Sequence, residues 1–373
     1  MKTRAALVRQ SPGKYEVSDI ELEDPRQDEL LVRVVAAGLC HSDDHIATGD
    51  MPKPPYPMIG GHEGAGVVEA VGPNTDGWEV GDHVVFTFLP ACGRCRWCGS
   101  GMQNLCDLGA NIIVGTRFRD AASFRTSLPD GSPVGQMAGL GTFAERTVVD
   151  VNSVVKVDKD LPLESAAMLA CGVSTGWGSA VNAAEVRPGD TVVIMGVGGV
   201  GMNAVQGATH AGASNVIVAE PVAWKREKAV EFGATHAFAD IAEAIECAQS
   251  FTNGQGADSA IVCVGVVEAA HVGAAYGAIR KAGTLVITGL GNIMDVGLPI
   301  PIGDLTLSQK RIQGSLFGGC SPTVDIPRQV EMYRNGKLKL DELISHRYTL
   351  DEVAQGYEDM HAGRLLRGVI TFG

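Results

Sequence analysis

Four cysteines stand close together in one short stretch of the chain, and their spacing could hold a metal ion. Cys92, Cys95, Cys98 and Cys106 form two consecutive C-x2-C spacings followed by a seven-residue gap. One loop with this spacing can surround a tetrahedral zinc ion with four sulfur ligands. Disulfide pairing or an iron–sulfur cluster is the alternative, because cysteine spacing alone does not name a metal. We predict a structural zinc site.

A glycine-rich loop further along the chain has the pattern of a dinucleotide-binding turn. Gly196, Gly198, Gly199, Val200 and Gly201 follow a predicted strand and open a predicted helix. Glycines there let backbone N–H groups approach a pyrophosphate, and the helix directs its positive end at that charge.

The next predicted strand ends in Glu220, whose carboxylate could accept hydrogen bonds from the adenosine ribose hydroxyls. The same carboxylate would repel a 2′-phosphate, so we expect NAD rather than NADP. Lys225 could flank the ribose. Alternatively, Glu220 is only the polar residue that follows a buried strand, and Lys225 is only an exposed lysine of a helix.

Further metal-ligand candidates are dispersed along the chain. A set of Cys40, His62 and Cys171 would leave the fourth position of a zinc ion open, as a catalytic zinc site requires. Each residue alone is weak evidence, since buried cysteines and structural histidines are common. Spacing cannot prove that the three side chains meet.

The composition limits the possible functions. The 373 residues, 45% of them hydrophobic, can form two domains, and the net charge of −13 would repel nucleic acids and anionic membranes. The longest apolar runs are strand-sized, so we expect no membrane span. The mixed residues at the start do not resemble an export signal, and we expect reduced thiols and a cytoplasmic location.

The elements that carry these motifs change in character along the chain. The first 170 residues contain short alternating runs between turn residues, which predict an antiparallel β barrel or sandwich. From about Ser174, strands alternate with helix-length stretches, which predicts a parallel sheet ending near Gly314. We predict domains at 1–172 and 173–315, with 316–373 returning to the first domain. The tail is expected to contain a helix over 327–335 and a strand over 368–372.

Over essentially its full length the chain resembles the zinc-dependent medium-chain alcohol dehydrogenases. The resemblance rests on the four-cysteine lobe at about 89–107 and on GHEGAG at 61–66, CGVSTGWGSA at 171–180 and GVGGVG at 196–201. It implies an α/β protein with a GroES-like β-rich catalytic domain and a Rossmann domain with a doubly wound parallel sheet. Two zinc ions per subunit and NAD(H) are the implied cofactors.

Carried over residue by residue, the resemblance implies a catalytic zinc held by Cys40, His62 and Cys171, a set for which alcohol dehydrogenase is the standard example. Glu63 would be close enough to exchange with bound water. Asp43 would accept a hydrogen bond from the other ring nitrogen of His62 and thereby fix the tautomer of the imidazole.

The same resemblance implies a proton relay and contacts to the cofactor. Ser42 would lie at the substrate oxygen, and His45, near the surface, would exchange the proton with water. His41 stands where many relatives carry an arginine that faces the pyrophosphate, and Arg367 matches an arginine that reaches the same phosphates.

The resemblance also implies an apolar substrate pocket. Phe88 and Met137 would line it, which favours hydrophobic alcohols, although each could belong to the core. The segment 107–140 is long and rich in Gly, Ser, Asp and Phe, which suggests a cover over the mouth of the site.

CHSDDH, LPACGRCRWC and GMQNLCDLGA resemble an actinobacterial subgroup that retains its nicotinamide tightly and recycles it with an external electron acceptor. We treat such retention as a hypothesis. Alcohols or aldehydes would be the substrates, and a dimer or tetramer would be typical of the family. The alternatives are a glutathione- or mycothiol-dependent formaldehyde dehydrogenase and a non-enzymatic nucleotide-binding zinc protein.

Overall fold

The computed structural model describes all 373 residues and divides them into two compact units. The first unit contains residues 1–171, 321–335 and 340–373, and the second contains 172–320 and 336–339. The sequence predicts boundaries after 172 and after 315, whereas the units change after 171 and after 320, and residues 336–339 also belong to the second unit.

The strands of the first unit form a small barrel and a seven-stranded sheet. The barrel order is β1-β2-β7-β8-β4, and the sheet order is β10-β6-β5-β3-β18-β17, with β9 also pairing with β3. The strands are β1 (Lys2–Val8), β2 (Glu16–Leu22), β3 (Glu29–Gly38), β4 (Met58–Ile59), β5 (Ala65–Val71), β6 (His83–Phe86), β7 (Thr126–Ser127), β8 (Pro133–Gln136), β9 (Arg146–Asp150), β10 (Val154–Val157), β17 (Ile344–Tyr348) and β18 (Arg367–Thr371).

The alternation of apolar and polar residues explains the long central strand of this sheet. In β3, Leu30, Val32 and Val34 are fully buried while Arg33 points to the other, partly exposed face, as expected for the two-residue period of a strand. Phe86 packs in the same core. The helices of the first unit are α1 (His41–Thr48), α2 (Arg96–Gly99), α3 (Leu163–Ala167), α10 (Pro322–Arg334) and α11 (Val353–His361).

The second unit contains a six-stranded parallel sheet in the order β13-β12-β11-β14-β15-β16. Its strands are β11 (Thr191–Met195), β12 (Asn215–Ala219), β13 (His236–Phe238), β14 (Ala257–Val262), β15 (Ile279–Ile287) and β16 (Arg311–Gly314). Its helices are α4 (Gly172–Gly178), α5 (Gly199–His210), α6 (Ala223–Glu231), α7 (Ile241–Phe251), α8 (Ala269–Ala278) and α9 (Ile302–Leu307). The last strand ends at Gly314, as the sequence predicts.

The helix predicted over 327–335 begins five residues earlier than expected, at Pro322. Proline is favoured in the first helical turn, where its missing N–H would have no partner. The chain provides this proline at Pro322, and Pro327 then lies inside the helix. No helix in the structure combines the length and the apolar character needed to cross a membrane.

Candidate active site

Four side chains from distant parts of the first unit converge in its interior. The candidate ligand atoms of Cys40, His62, Glu63 and Cys171 all lie within 4.8 Å of one another, and all four residues are buried. The three dispersed ligands predicted from the sequence therefore do come together, and Glu63 joins them. We call these four residues the buried cluster.

Strand pairing explains why the cluster forms. Cys40 follows the end of β3, and Glu63 lies just before β5, which pairs antiparallel with β3. The N–H of Gly38 donates to the carbonyl oxygen of Glu63 at 3.3 Å. A Cβ on Gly38 would lie 2.4 Å from Oε2 of Glu63, so this close approach requires glycine.

The imidazole of His62 is oriented from behind by a buried carboxylate. Its Nδ1 lies 2.9 Å from Oδ2 of Asp43, and Oδ1 of Asp43 accepts from the N–H of Gly61 at 2.8 Å. Burial lowers the pKa of His62, but Asp43 and Cys40 outweigh that effect and raise it well above its usual value. This arrangement leaves Nε2 as the ligand atom, as in metal sites where a carboxylate holds the other ring nitrogen.

The thiols of the two cysteines in the buried cluster have pKa values shifted in opposite directions. A hydrogen bond with Cys171 holds the pKa of Cys40 well below its usual range, and the same contact raises the pKa of Cys171 well above it. Two sulfurs, an imidazole nitrogen and a carboxylate oxygen are a donor set that suits zinc.

Glu63 and Arg367 form a buried pair beside these ligands. The guanidinium of Arg367 donates to Oε2 of Glu63, whereas Oε1 of Glu63 is buried without a hydrogen-bond partner. Burial raises the pKa of Glu63 to about 8, against the opposite effect of Arg367. The contact of Arg367 with the cofactor phosphates, which the sequence comparison implies, remains a prediction. The orphaned oxygen fits a group that binds in the cluster.

The relay residues lie along α1, and one of them is not where the sequence suggested. Ser42 accepts a weak hydrogen bond from the Cys40 thiol at 3.8 Å. His41 is the first residue of the helix, and burial lowers its pKa. The expectation that His45 lies near the surface is wrong, because only 3% of the residue is exposed.

The residues predicted to line a substrate pocket adjoin the buried cluster. The ring of Phe88 packs edge-on against His62, with 5.3 Å between their centroids. Phe88 and Met137 belong to one apolar cluster that also contains Ile46, Met58 and Ile112. Ile112 and Met137 both come from the segment 107–140 that was expected to cover the site. This apolar surface beside His62 suits a hydrophobic substrate.

The four cysteines of the lobe also meet, close to the surface. Their sulfur atoms lie within 4.8 Å of one another. The N–H of Cys92 donates to Sγ of Cys106 at 3.4 Å, and the N–H of Cys98 donates to Sγ of Cys95 at 3.5 Å. None of the nine cysteines forms a disulfide. The donor chemistry fits a structural zinc ion.

In the second unit, the glycine loop joins β11 to α5. Gly196 has a φ of +83°, in the left-handed region that favours glycine. A Cβ on Gly201 would lie 1.8 Å from the carbonyl oxygen of Gly196, whereas a Cβ on Gly198 would meet nothing within 4 Å. Gly199 and Val200 form the first turn of the helix. The open space at this helix end suits a pyrophosphate.

Glu220 follows β12 and contacts the glycine loop. Its Oε2 accepts from the N–H of Val197 at 2.9 Å, and its Oε1 accepts from the N–H of Val222 at 3.0 Å. Lys225 is partly buried in α6, which lowers its pKa. The carboxylate of Glu220 is thus held in a fixed orientation at the loop. Contacts of Glu220 and Lys225 with a ribose remain predictions.

Sequence reasoning missed several polar contacts around α1. Asp50 lies 3.3 Å from Nδ1 of His45, and Asp44 contacts Nε2 of His361 at 2.6 Å. Asp50 stands in a turn among other polar residues, and no sequence motif includes it. The partner of Asp44 comes from the far end of the chain, which no local pattern reveals.

Comparisons with known proteins agree with this arrangement. A family model described as "Alcohol dehydrogenase GroES-like domain" matches residues 26–159, and one described as "Zinc-binding dehydrogenase" matches 199–333. The chain is 50% identical over 371 residues to a "Putative alcohol dehydrogenase D" of Mycobacterium tuberculosis, with 100% of both chains covered. It is 49% identical to an "NDMA-dependent alcohol dehydrogenase" of Amycolatopsis methanolica, with 99% of both covered.

Among solved structures, the chain resembles an alcohol dehydrogenase zinc-binding domain protein from Burkholderia ambifaria, with a TM-score of 0.91 and 32% identity, covering 100% of this chain and 99% of the other. The predicted fold class is confirmed by these matches. A relative named "S-(hydroxymethyl)glutathione dehydrogenase", from Paracoccus denitrificans, is only 33% identical, with 100% of both chains covered, so the glutathione-dependent alternative loses support.

Proposed function

Since the chain belongs to the zinc-binding alcohol dehydrogenase family, we propose that it oxidises alcohols to aldehydes or ketones by hydride transfer to NAD. The observation that carries the proposal is the buried cluster, in which Cys40, His62, Glu63 and Cys171 bring four ligand atoms within 4.8 Å of one another. A non-enzymatic zinc protein would not need these residues buried beside an apolar pocket wall.

Cys40, His62 and Cys171 would hold the catalytic zinc, with Glu63 next to it. A zinc ion bound there supplies Lewis-acid polarisation of the alcohol oxygen, which makes the hydroxyl proton easier to remove. Asp43 keeps the His62 ring in the tautomer that presents Nε2. The guanidinium of Arg367 donates to Glu63 in the interior and favours the ionised form of this side chain against the opposite effect of burial.

The residues of α1 would carry the alcohol proton away. Ser42 would accept it from the substrate oxygen, and His45 would pass it on; a bound cofactor would supply ribose hydroxyls to this relay. His45 suits this role because an imidazole can take a proton on one ring nitrogen and release it from the other. Phe88 and Met137 would hold the apolar part of the alcohol and exclude water.

The glycine loop and Glu220 support NAD as the hydride acceptor. The open space beside Gly198 leaves room for the pyrophosphate. The fixed carboxylate of Glu220 would accept hydrogen bonds from ribose hydroxyls and repel a 2′-phosphate. Lys225 would lie beside the ribose. His41 and Arg367 would complete the contacts to the phosphates.

The relation to a protein named for NDMA dependence supports the proposal that an external acceptor recycles a retained nicotinamide. Dialysed, purified protein should then carry cofactor absorbance, and alcohol should bleach a nitroso dye without added NAD. Protein without bound cofactor that reduces added NAD stoichiometrically with turnover would contradict retention.

We also propose a homo-oligomer and a cytoplasmic location. The second unit ends its sheet with the edge strand β16, which has unpaired backbone groups on one side. The neighbouring segment exposes Met294, Val296, Ile302 and Leu307, each at least 78% exposed, and such a patch suits a second copy.

Native mass spectrometry of fresh protein combined with alcohol turnover tests the proposal. We expect two zinc ions and one nicotinamide per subunit, more than one subunit per particle, and turnover of hydrophobic primary alcohols without glutathione or mycothiol. Strict dependence of turnover on an added thiol would instead favour formaldehyde oxidation. Metal and cofactor without any alcohol turnover would favour a binding protein.

A further inference from the structure

The burial of His45 raises the question of how the alcohol proton leaves the protein. A relay histidine near the surface could hand its proton directly to water, but only 3% of His45 is exposed. Its Nδ1 lies 3.3 Å from Oδ2 of Asp50. The side chain of Asp50 is 32% exposed, so its carboxylate reaches both the imidazole and the solvent.

From this geometry we infer that Asp50 takes the proton from His45 and releases it to water. The inference rests on the proposed alcohol oxidation and adds its last step. Asp50 acts through His45 and does not contact the substrate.

The atoms balance along this route. Oxidation of the alcohol sends a hydride to NAD and one proton into the relay. His45 gains that proton on Nε2 and gives up its other proton from Nδ1 to Oδ2 of Asp50. Asp50 then releases that proton to solvent. His45 is left neutral with its proton on Nε2, and proton exchange with solvent restores the tautomer with its proton on Nδ1. No further oxidant or base is needed.

The turn after α1 holds the carboxylate in place for this transfer. Thr48 donates from Oγ1 to Oδ2 of Asp50 at 2.8 Å. Gly49 ends the helix in the left-handed conformation, with a φ of +97°, which reverses the chain toward the imidazole. The hydrogen bonds from Thr48 and His45 lower the pKa of Asp50, so the carboxylate is ionised at neutral pH and readily gives up to water a proton that it receives.

The other charged groups around α1 are committed elsewhere. Asp44 contacts Nε2 of His361 from α11 at 2.6 Å, and Asp43 faces His62. His41 is the first residue of α1, one turn before His45. Burial also raises the pKa of Tyr15. Asp50 is therefore the acceptor for which the structure provides a contact with His45.

Asp50→Asn tests the inference because it keeps an oxygen for Thr48 but cannot take a proton. We expect turnover at pH 6 to 7 to fall about tenfold, less than the 10² to 10⁴ typical of a group that transfers a proton in the transition state. The variant should also gain a solvent deuterium isotope effect. Small buffer bases such as imidazole should restore turnover in proportion to their concentration, and Asp50→Glu should restore it without buffer.

Thr48→Val is the matched control, since it removes the turn hydrogen bond and keeps the carboxylate. It should lack the isotope effect and the response to buffer. The inference is wrong if Asp50→Asn matches the wild-type pH profile at every buffer concentration, or if it loses activity that neither buffer nor Asp50→Glu restores. Both results require an active wild-type enzyme, so a wild-type protein without alcohol turnover would refute the proposed function instead.

Discussion

The buried cluster and the cysteine lobe both use cysteine sulfur, yet their surroundings differ. The cluster mixes sulfur, imidazole nitrogen and carboxylate oxygen, and it is enclosed by Asp43 and Arg367. The lobe has four sulfurs on one short loop, partly exposed and supported by backbone N–H groups. Four thiolates close the coordination shell of zinc. Two cysteines and one histidine leave one position for a substrate oxygen, provided that Glu63 stays beside the ion without binding it.

The different surroundings of the two sites indicate which of them performs chemistry. In the cluster, burial makes each charge depend on its neighbours, so small changes alter protonation and reactivity. In the lobe, the ligands are local, and their loss affects the shape of one loop. We therefore expect substitutions in the cluster to change turnover, and substitutions in the lobe to change stability.

The largest effect is expected for Cys171→Ala. It removes one ligand from the cluster, and the loss of several kcal/mol of charge stabilisation by the metal corresponds to a decrease in turnover of about 10³-fold or more. The fold and dinucleotide binding should persist, as circular dichroism and cofactor titration would report. Cys247→Ala, at a cysteine in α7 outside both sites, should behave as wild type. Retained turnover in Cys171→Ala would remove this residue from the metal site.

For the lobe, Cys106→Ala should cost stability rather than chemistry. It removes the sulfur that accepts from the N–H of Cys92, and loss of a structural metal is among the changes that cost about 4 kcal/mol or more. Elemental analysis should find one zinc ion fewer, and thermal unfolding should begin earlier. Ser100→Ala, on the surface of the same lobe, serves as the control. A variant as stable as wild type but inactive would reverse the roles of the two sites.

The two sites also differ in how far the sequence alone predicts them. The lobe and the glycine loop are local, so residue spacing and a strand before a helix suffice to identify them. Cys40, His62 and Cys171 could be grouped only through family resemblance. The approach of Cys40 to His62 depends on the pairing of β3 with β5, and Cys171 comes from a distant segment after residue 170.

The error at His45 has a similar cause. Helix α1 reads HSDDHIAT, which suggests an exposed helix. Asp43, Asp44 and His45 are nevertheless buried. Asp44 is covered in part by α11, whose His361 contacts its carboxylate. A helix from the far end of the chain thus contributes to the burial of Asp44, and no local pattern encodes this contact.

An intermediate effect is expected for Asp43→Asn, which tests how strongly the cluster depends on its surroundings. The amide oxygen can still accept from Gly61, but the negative charge opposite Nδ1 of His62 is lost. Loss of such a partner typically costs 10- to 100-fold in metal affinity or activity. Asp44→Asn, one residue further along the helix, should change turnover less. Equal losses in the two variants would indicate a general effect of charge near α1 rather than orientation of His62.

The smallest effect concerns thiol reactivity after removal of the metals by a chelator. Hydrogen bonds from the N–H groups of Cys98 and Asp107 lower the pKa of Cys95 to about 6, whereas burial raises the pKa of Cys98 to about 12. Thiolates are the reactive form. Alkylation of Cys95 by iodoacetamide should therefore rise as the pH passes through about 6 and level off above it, while Cys98 should react slowly throughout.

Peptide mapping by mass spectrometry would follow each cysteine in that experiment, and Cys40 provides the contrast between the two sites. Its pKa is also lowered, but only 7% of the residue is exposed, so reagent should reach it after Cys95. Unfolding in denaturant should remove this order, because the thiols then share one environment. If Cys40 instead reacted first in the folded, metal-free protein, the cluster would be open to solvent, and burial could not explain its distinct chemistry.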